Sequence, residues 1–197
     1  MKFSVFAYFS LTLALWPSLS QAQEIVAAPA DSWPMYRGTA SLTGLSKSKL
    51  NTDLVQIWSF KAKEGIHSTA AIAENKVFVG CDDGNLYALD FKTGKKVWAF
   101  KTEDIVESAP LVKDGRVYFG SSDGFVYAIS AKNGELQWKF ETEDRVLGAP
   151  NYFQPDDKKS KPSVIVGSYD FKLYSFDPMS GKNNWSYETS NYINGSP

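Results

Sequence analysis

"TAAIAENKVFVGCDDGNLYALDFKTGKKVWAFKTE" (residues 69–103) lies over "APLVKDGRVYFGSSDGFVYAISAKNGELQWKFETE" (109–143) at a constant offset of 40 residues. Gly80 and Gly120, Asp83 and Asp123, Tyr87 and Tyr127, Gly94 and Gly134, and Trp98 and Trp138 coincide. A looser third copy carries Gly167, Asp170, Tyr174, Gly181 and Trp185, and Trp58 stands one period ahead of the first copy. The tryptophans are therefore spaced by 40, 40 and 47 residues, a period in the range of four-stranded propeller blades. The additional residues of the third copy fall in the polar, proline-bounded "QPDDKKSKPS" (154–163), which reads as a surface loop.

Each copy reads as four short strands. "KVFVG" and "RVYFG" are β-branched and aromatic, the Asp-Gly pairs at 83–84 and 123–124 are hairpin signals, and Thr93-Gly94 and Asn133-Gly134 make the following turn. The expected fold is all-β: a β-propeller of four-stranded antiparallel blades, with three complete blades in an open arc. Radial stacking leaves only short, protected edges. One indole per blade buries on the order of 150–250 Å², so Trp58, Trp98, Trp138 and Trp185 read as structural docking groups. Gly94, Gly134 and Gly181 permit the tight turns that present them.

At this point a family resemblance becomes specific. "ALDFKTGKKVW" (88–98) resembles the tryptophan-docking motif of the pyrroloquinoline-quinone-like repeat propellers, and "AISAKNGELQW" (128–138) and "SFDPMSGKNNW" (175–185) are degraded copies, with Ser130 replacing the Asp and Ser175 the Ala. The resemblance covers roughly residues 54–197, and the leading "SWPMYRGTASLTGLSKSKLNTDLVQIW" (32–58) is similar to the segment before the first blade in that family.

The expected organisation follows. Residues 1–22, "MKFSVFAYFSLTLALWPSLSQA", place one Lys before an apolar run and end on a small-x-small pattern, which reads as a cleaved secretory signal and implies a periplasmic or secreted protein. No Cys stands near the cleavage site, so no lipid anchor is evident. Residues 23–53 form an extension, and the partial propeller occupies 54–197, with units at about 62–101, 102–141 and 142–188 and the start of another at 189–197. "LVQIWSFKA" (54–62) reads as an orphan outermost strand. The closing "TSNYINGSP" (189–197) repeats the grammar of "TEDIVESAP" (102–110) and "TEDRVLGAP" (142–150), each of which opens a new unit. The expectation is therefore the N-terminal part of a longer propeller, whose uncovered end blades would favour self-association.

Composition narrows the function classes. The 21 basic and 22 acidic residues give a net charge of −1, without the clustered basic excess that nucleic acid requires. The only cysteine, Cys81, permits no intramolecular disulfide and reads as a small residue at a strand end. "GSSDG" (120–124) matches a nucleophile elbow in letters, but it sits in a strand-turn-strand register where that motif needs strand-turn-helix. "CDDGN" (81–85) lacks the alternating ligands of a calcium loop. The sequons at Asn184 and Asn194 carry no weight in a chain of unknown host. No catalytic and no metal-ligating residue is assigned.

The candidate site is the rim of the central channel. His67, Glu107, Leu147 and Asn194 share one register position just before each inner strand, where identity varies while the scaffold repeats. Arg145, Asp104 and Asp144 belong to the same rim. The preferred reading is an exported, non-catalytic scaffold that holds a protein or carbohydrate partner at the propeller face, with no cofactor evident. The alternative implied by the resemblance is a quinoprotein alcohol or sugar dehydrogenase, which would bind pyrroloquinoline quinone and calcium. Those enzymes carry a vicinal cysteine pair over the cofactor, and Cys81 has no cysteine neighbour.

Overall fold

The computed structural model describes residues 32–46, 53–157 and 159–197. The signal-peptide reading of 1–22, the first part of the extension and residues 47–52 lie outside the described residues.

Twelve strands and no helix make up the described chain. The first sheet runs β1 (Ala71–Ala73), β2 (Lys76–Gly80), β3 (Asn85–Asp90) and β4 (Lys96–Lys101); the second, β5 (Leu111–Lys113), β6 (Arg116–Gly120), β7 (Phe125–Ser130) and β8 (Leu136–Glu141). The third runs β9 (Asn151–Phe153), β10 (Ser163–Gly167), β11 (Lys172–Phe176) and β12 (Asn183–Glu188). Every sheet is a four-stranded antiparallel meander in chain order, and the sheets are separate from one another. This is the expected open set of three blades.

Turn chemistry explains the local geometry. Glu74-Asn75 and Asp114-Gly115 take positive φ at both positions (51° and 57°, 50° and 72°), the backbone that joins two strands with matching twist. In the third unit the polar insert replaces that two-residue turn. The next hairpin needs a left-handed residue, which Gly84 and Gly124 supply at φ 76° and 84°. The third unit places Phe171 there at φ 66°, a conformation that costs a residue with a β-carbon about 1–2 kcal/mol. A bulge at Ala88/Leu89, Ala128/Ile129 and Ser175/Phe176 bends each outer strand at the same place.

Blades join through indole on glycine. Trp58 lies on Gly94, Trp98 on Gly134 and Trp138 on Gly181; an added β-carbon would come within 2.5, 3.0 and 2.5 Å of the respective rings. Each indole Nε1 donates to a carbonyl of the next unit, Phe91 at 2.9 Å, Ala131 at 3.4 Å and Pro178 at 2.9 Å. Trp138 is 8% exposed and Trp98 half-buried, whereas Trp185, on the uncovered side of the third sheet, is 47% exposed. Apolar clusters bridge neighbouring blades: Phe78 and Leu86 meet Val117, Phe119 and Ile129, and Tyr118 and Val126 meet Val164, Val166 and Phe176.

A half-buried carboxylate clamp repeats inside each blade. Tyr87, Tyr127 and Tyr174 donate to Asp83, Asp123 and Asp170 at 2.5, 2.7 and 2.6 Å, while the other carboxylate oxygen accepts the backbone N–H of Asn85, Phe125 and Lys172. Burial, then the adjacent carboxylate, pushes all three tyrosines well above their ordinary range. Burial works against the charge of Asp83, but hydrogen bonds from Tyr87 and Asn85 outweigh it and hold the carboxyl below its usual value.

Two segments outside the sheets bear on the sequence reading of an orphan outermost strand and a leading extension. Residues 54–61 form no sheet pairing among the described residues; the segment contributes Trp58 to the Gly94 turn and Phe60 to Tyr87, with ring centroids 5.2 Å apart, but has no ladder partner that would make it a strand. The extension also does more than lead into the first blade. Trp33 exchanges two backbone hydrogen bonds with Ile72 (2.7 and 2.8 Å), Pro34 accepts from Val112 N–H at 2.7 Å, Met35 is buried in the cluster between the second and third sheets, and Ala40 accepts from the Asn151 amide at 3.1 Å. Residues 33–40 are thus a strap that touches the inner strand of every blade.

Replacing Trp138 by Ala is expected to cost about 3–5 kcal/mol, and Trp185→Ala far less, as read by guanidinium unfolding. Phe171→Gly relieves the left-handed strain and is expected to raise the melting temperature in calorimetry. The tyrosine shifts make the neutral hydroxyl the form the fold favours, so their contribution is present below the ordinary tyrosine value of about 10 and is lost above it. Asp83 has the opposite sign: its contribution is present above about 4 and lost as pH falls further. Combined circular dichroism and tyrosinate absorbance is expected to show these rings ionising only as the blades unfold, with Tyr127→Phe reducing the alkaline loss.

Candidate functional site: the face of the connecting loops

The loops that join the outer strand of one blade to the inner strand of the next share a face with the β2–β3, β6–β7 and β10–β11 hairpins. They are held from both sides. In the loop after β4, Thr102 Oγ1 donates to Gly84 at 2.9 Å and Val106 N–H to Cys81 at 3.2 Å, both in the first blade. Toward the second blade, Ile105 accepts from Ser122 N–H at 2.9 Å and Glu103 N–H donates to the Asp123 carboxylate at 3.1 Å.

The loop after β8 repeats every one of these bonds. Thr142 Oγ1 reaches Gly124, Val146 N–H reaches Ser121, Tyr169 N–H reaches Arg145, and Glu143 N–H reaches Asp170. Gly80 and Gly120 let the loop carbonyls of Val106 and Val146 approach where any β-carbon would collide. Deeper in, Ser68 Oγ donates to Ser108 at 3.1 Å and Ser108 Oγ to Gly148 at 2.9 Å, a buried chain running from blade to blade.

On that fixed backbone the rim residues differ. His67 is exposed and pairs with Asp82, Nδ1 to Oδ2, at 2.9 Å. Glu107 and Leu147 are half-buried and Asn194 is exposed. Asp104 and Asp144 each cap the following N–H, of Ile105 at 2.8 Å and of Arg145 at 2.7 Å, so both shape their loops. Arg145 Nε lies 3.8 Å from Asp144 Oδ1, and its guanidinium sits 4.8 Å over the ring of Tyr169. The structure therefore joins His67 to Asp82 and Arg145 to Tyr169, and shows no contact among the four register-equivalent rim positions themselves.

Three aromatic residues on this face escaped the sequence reading. Tyr192 stacks on Tyr169 with centroids 4.7 Å apart and planes 11° from parallel. Tyr192 is 50% and Phe171 45% exposed. The signal was present in the alignment of units: where the first two carry Asp82 and Ser122, the third carries Tyr169; where they carry Gly84 and Gly124, it carries Phe171.

Cys81 is buried, its Sγ is 3.6 Å from the Glu64 carbonyl, and burial pushes its thiol up, away from the reactive thiolate. Among the described residues, no three His, Cys, Asp or Glu side chains converge on a point that could hold a metal ion.

Comparison with known proteins places the fold. Curated proteins give no match. BamB from Moraxella catarrhalis superposes with a TM-score of 0.56 at 22% identity, over 67% of this chain and 39% of its own. The quinohemoprotein alcohol dehydrogenase of Comamonas testosteroni gives 0.65 at 21% identity, over 80% of this chain and 27% of its own. The computationally designed Ika4 protein gives 0.59 at 19% identity, over 74% of this chain and 86% of its own. The chain thus spans well under half the length of the two natural proteins. A family model described as outer membrane protein assembly factor BamB matches residues 51–196, and the chain belongs to that family of pyrroloquinoline-quinone-like repeat β-propellers.

Proposed function

We propose that this chain is an exported, non-catalytic scaffold that holds a protein partner on the face of its connecting loops, in an assembly role like that named for BamB. The observation that carries this reading is the separation of frame from side chain. The loop backbone is fixed by the same bonds at the first two blade junctions, while His67, Glu107, Leu147 and Arg145 each present different chemistry from equivalent or adjacent positions. A fold that spends its repeated residues on packing leaves the loop side chains to choose a partner.

Export rests on the signal-like residues 1–22 and on the resemblance. A quinoprotein dehydrogenase is the alternative that the resemblance implies, and Cys81, the one cysteine, has no cysteine neighbour to supply the vicinal pair of those enzymes.

A photoreactive amino acid placed at Glu107 or Leu147 in the native host is expected to give one or a few discrete protein adducts. The same group at Lys132 or Glu135, in the β7–β8 turn on the opposite face, is expected to give none. Absence of any adduct from the loop face, or reduction of a redox dye by the purified chain with pyrroloquinoline quinone, calcium and an alcohol, would overturn the proposal.

A further inference from the structure

On the face of the connecting loops the third unit departs from the repeat in its side chains and not in its frame. Its hairpin keeps the whole frame: Asp170 accepts from Tyr174, Lys172 N–H and Glu143 N–H, as its counterpart Asp123 does from Tyr127, Phe125 N–H and Glu103 N–H. Yet the residues flanking Asp170 are Tyr169 and Phe171, and Phe171 occupies a left-handed position that glycine fills in the other units. Its side chain is 45% exposed, so nearly half of the ring faces solvent. An aromatic group held out to solvent in an unfavourable backbone conformation points to a use outside the fold.

The Tyr169 ring carries both the Tyr192 ring, at 4.7 Å, and the Arg145 guanidinium, at 4.8 Å. The result is a cluster of one guanidinium and two tyrosine rings centred on Tyr169, in which Tyr192 is half-exposed. Tyr and Arg are the side chains enriched where interfaces concentrate their binding energy. The bordering loops and strand ends carry Glu141, Glu143, Asp144, Asp170 and Glu188 against only Arg145 and Lys172, and Lys172 is already paired with Glu143 at 2.6 Å.

We propose that the patch formed by Arg145, Tyr169, Tyr192 and Phe171 docks a cationic segment of a polypeptide partner, with an arginine or lysine side chain of the partner seated against Tyr192. The cluster already contains one such contact, Arg145 on Tyr169, and the excess of carboxylates favours a positive partner over an anionic one. This inference rests on the scaffold reading and names the chemistry its partner presents.

The test uses the full chain and immobilised twelve-residue peptides, (Gly-Ser-Arg)4 and (Gly-Ser-Glu)4, with maltoheptaose as a competitor. The arginine peptide is expected to bind and the glutamate peptide not; Tyr192→Ala and Phe171→Gly are each expected to weaken binding about tenfold, with Tyr192→Phe close to the parent. Phe171→Gly is expected to stabilise the fold, so calorimetry on the same variant separates weaker binding from unfolding. Equal binding by the parent and both variants, equal binding of the glutamate peptide, or displacement by maltoheptaose overturns the inference. Loop-face adducts that persist unchanged in Tyr192→Ala and Phe171→Gly leave the scaffold reading standing and remove this one. Arginine-peptide binding that needs Tyr192, without any adduct in the host, does the reverse.

Discussion

A tryptophan laid over the glycine turn of the next blade is the contact on which the rest of this structure depends. A four-stranded meander of about 35 residues has two apolar faces and cannot bury both alone. The indole supplies a large flat surface, the absent β-carbon lets it come into contact, and the Nε1 bond fixes its rotation. With Trp58, Trp98 and Trp138 in place, the apolar residues of adjacent sheets meet in register and form clusters that belong to blade pairs rather than to single blades. The uncovered outer face of the third sheet, with Phe153, Trp185 and Tyr187 exposed, shows what each interface would look like unmet.

That construction decides where recognition can be placed. Residues in the sheets are committed to neighbours on both sides, and the turns with Gly94, Gly134 and Gly181 are committed to indoles. The loop face is different, because its backbone is held by threonine, serine and peptide groups and leaves most of its charged and aromatic side chains unused for packing. Its polar frame is costly to disturb, since buried hydrogen-bonding groups left unpaired destabilise more than their bonds contribute. Side-chain exchange on top of it is cheap. The third unit uses this freedom twice, at Tyr169 and at Tyr192, and accepts backbone strain at Phe171.

The blades were legible in the sequence because their cause is periodic. Aligned Gly, Asp, Tyr and Trp positions report turns, clamps and docking groups that recur with the same geometry, so three sheets of four strands could be read before any coordinate. What escaped was aperiodic. The strap of residues 33–40 has no second copy to compare with, and its main bonds are backbone bonds to Ile72 and Val112 that carry no residue signature. At the candidate site the variable rim positions were visible, whereas the Arg145–Tyr169–Tyr192 cluster needed the third dimension to bring residues from two loops and a hairpin together.

The strap also sets an order of events. Its residues precede every blade in the chain, yet the bond between Ala40 and Asn151 joins positions 111 residues apart. A segment that emerges ahead of the blades has nothing to bind until the inner strands β1, β5 and β9 exist. Contacts that close so long a loop form late, because the chain entropy they remove is not offset until their targets are built. Neighbouring blades can assemble as they appear, each on the one before, while the strap waits. Its docking therefore reports that three blades stand in their correct succession, and makes a segment that is synthesised before the blades the last to find its place.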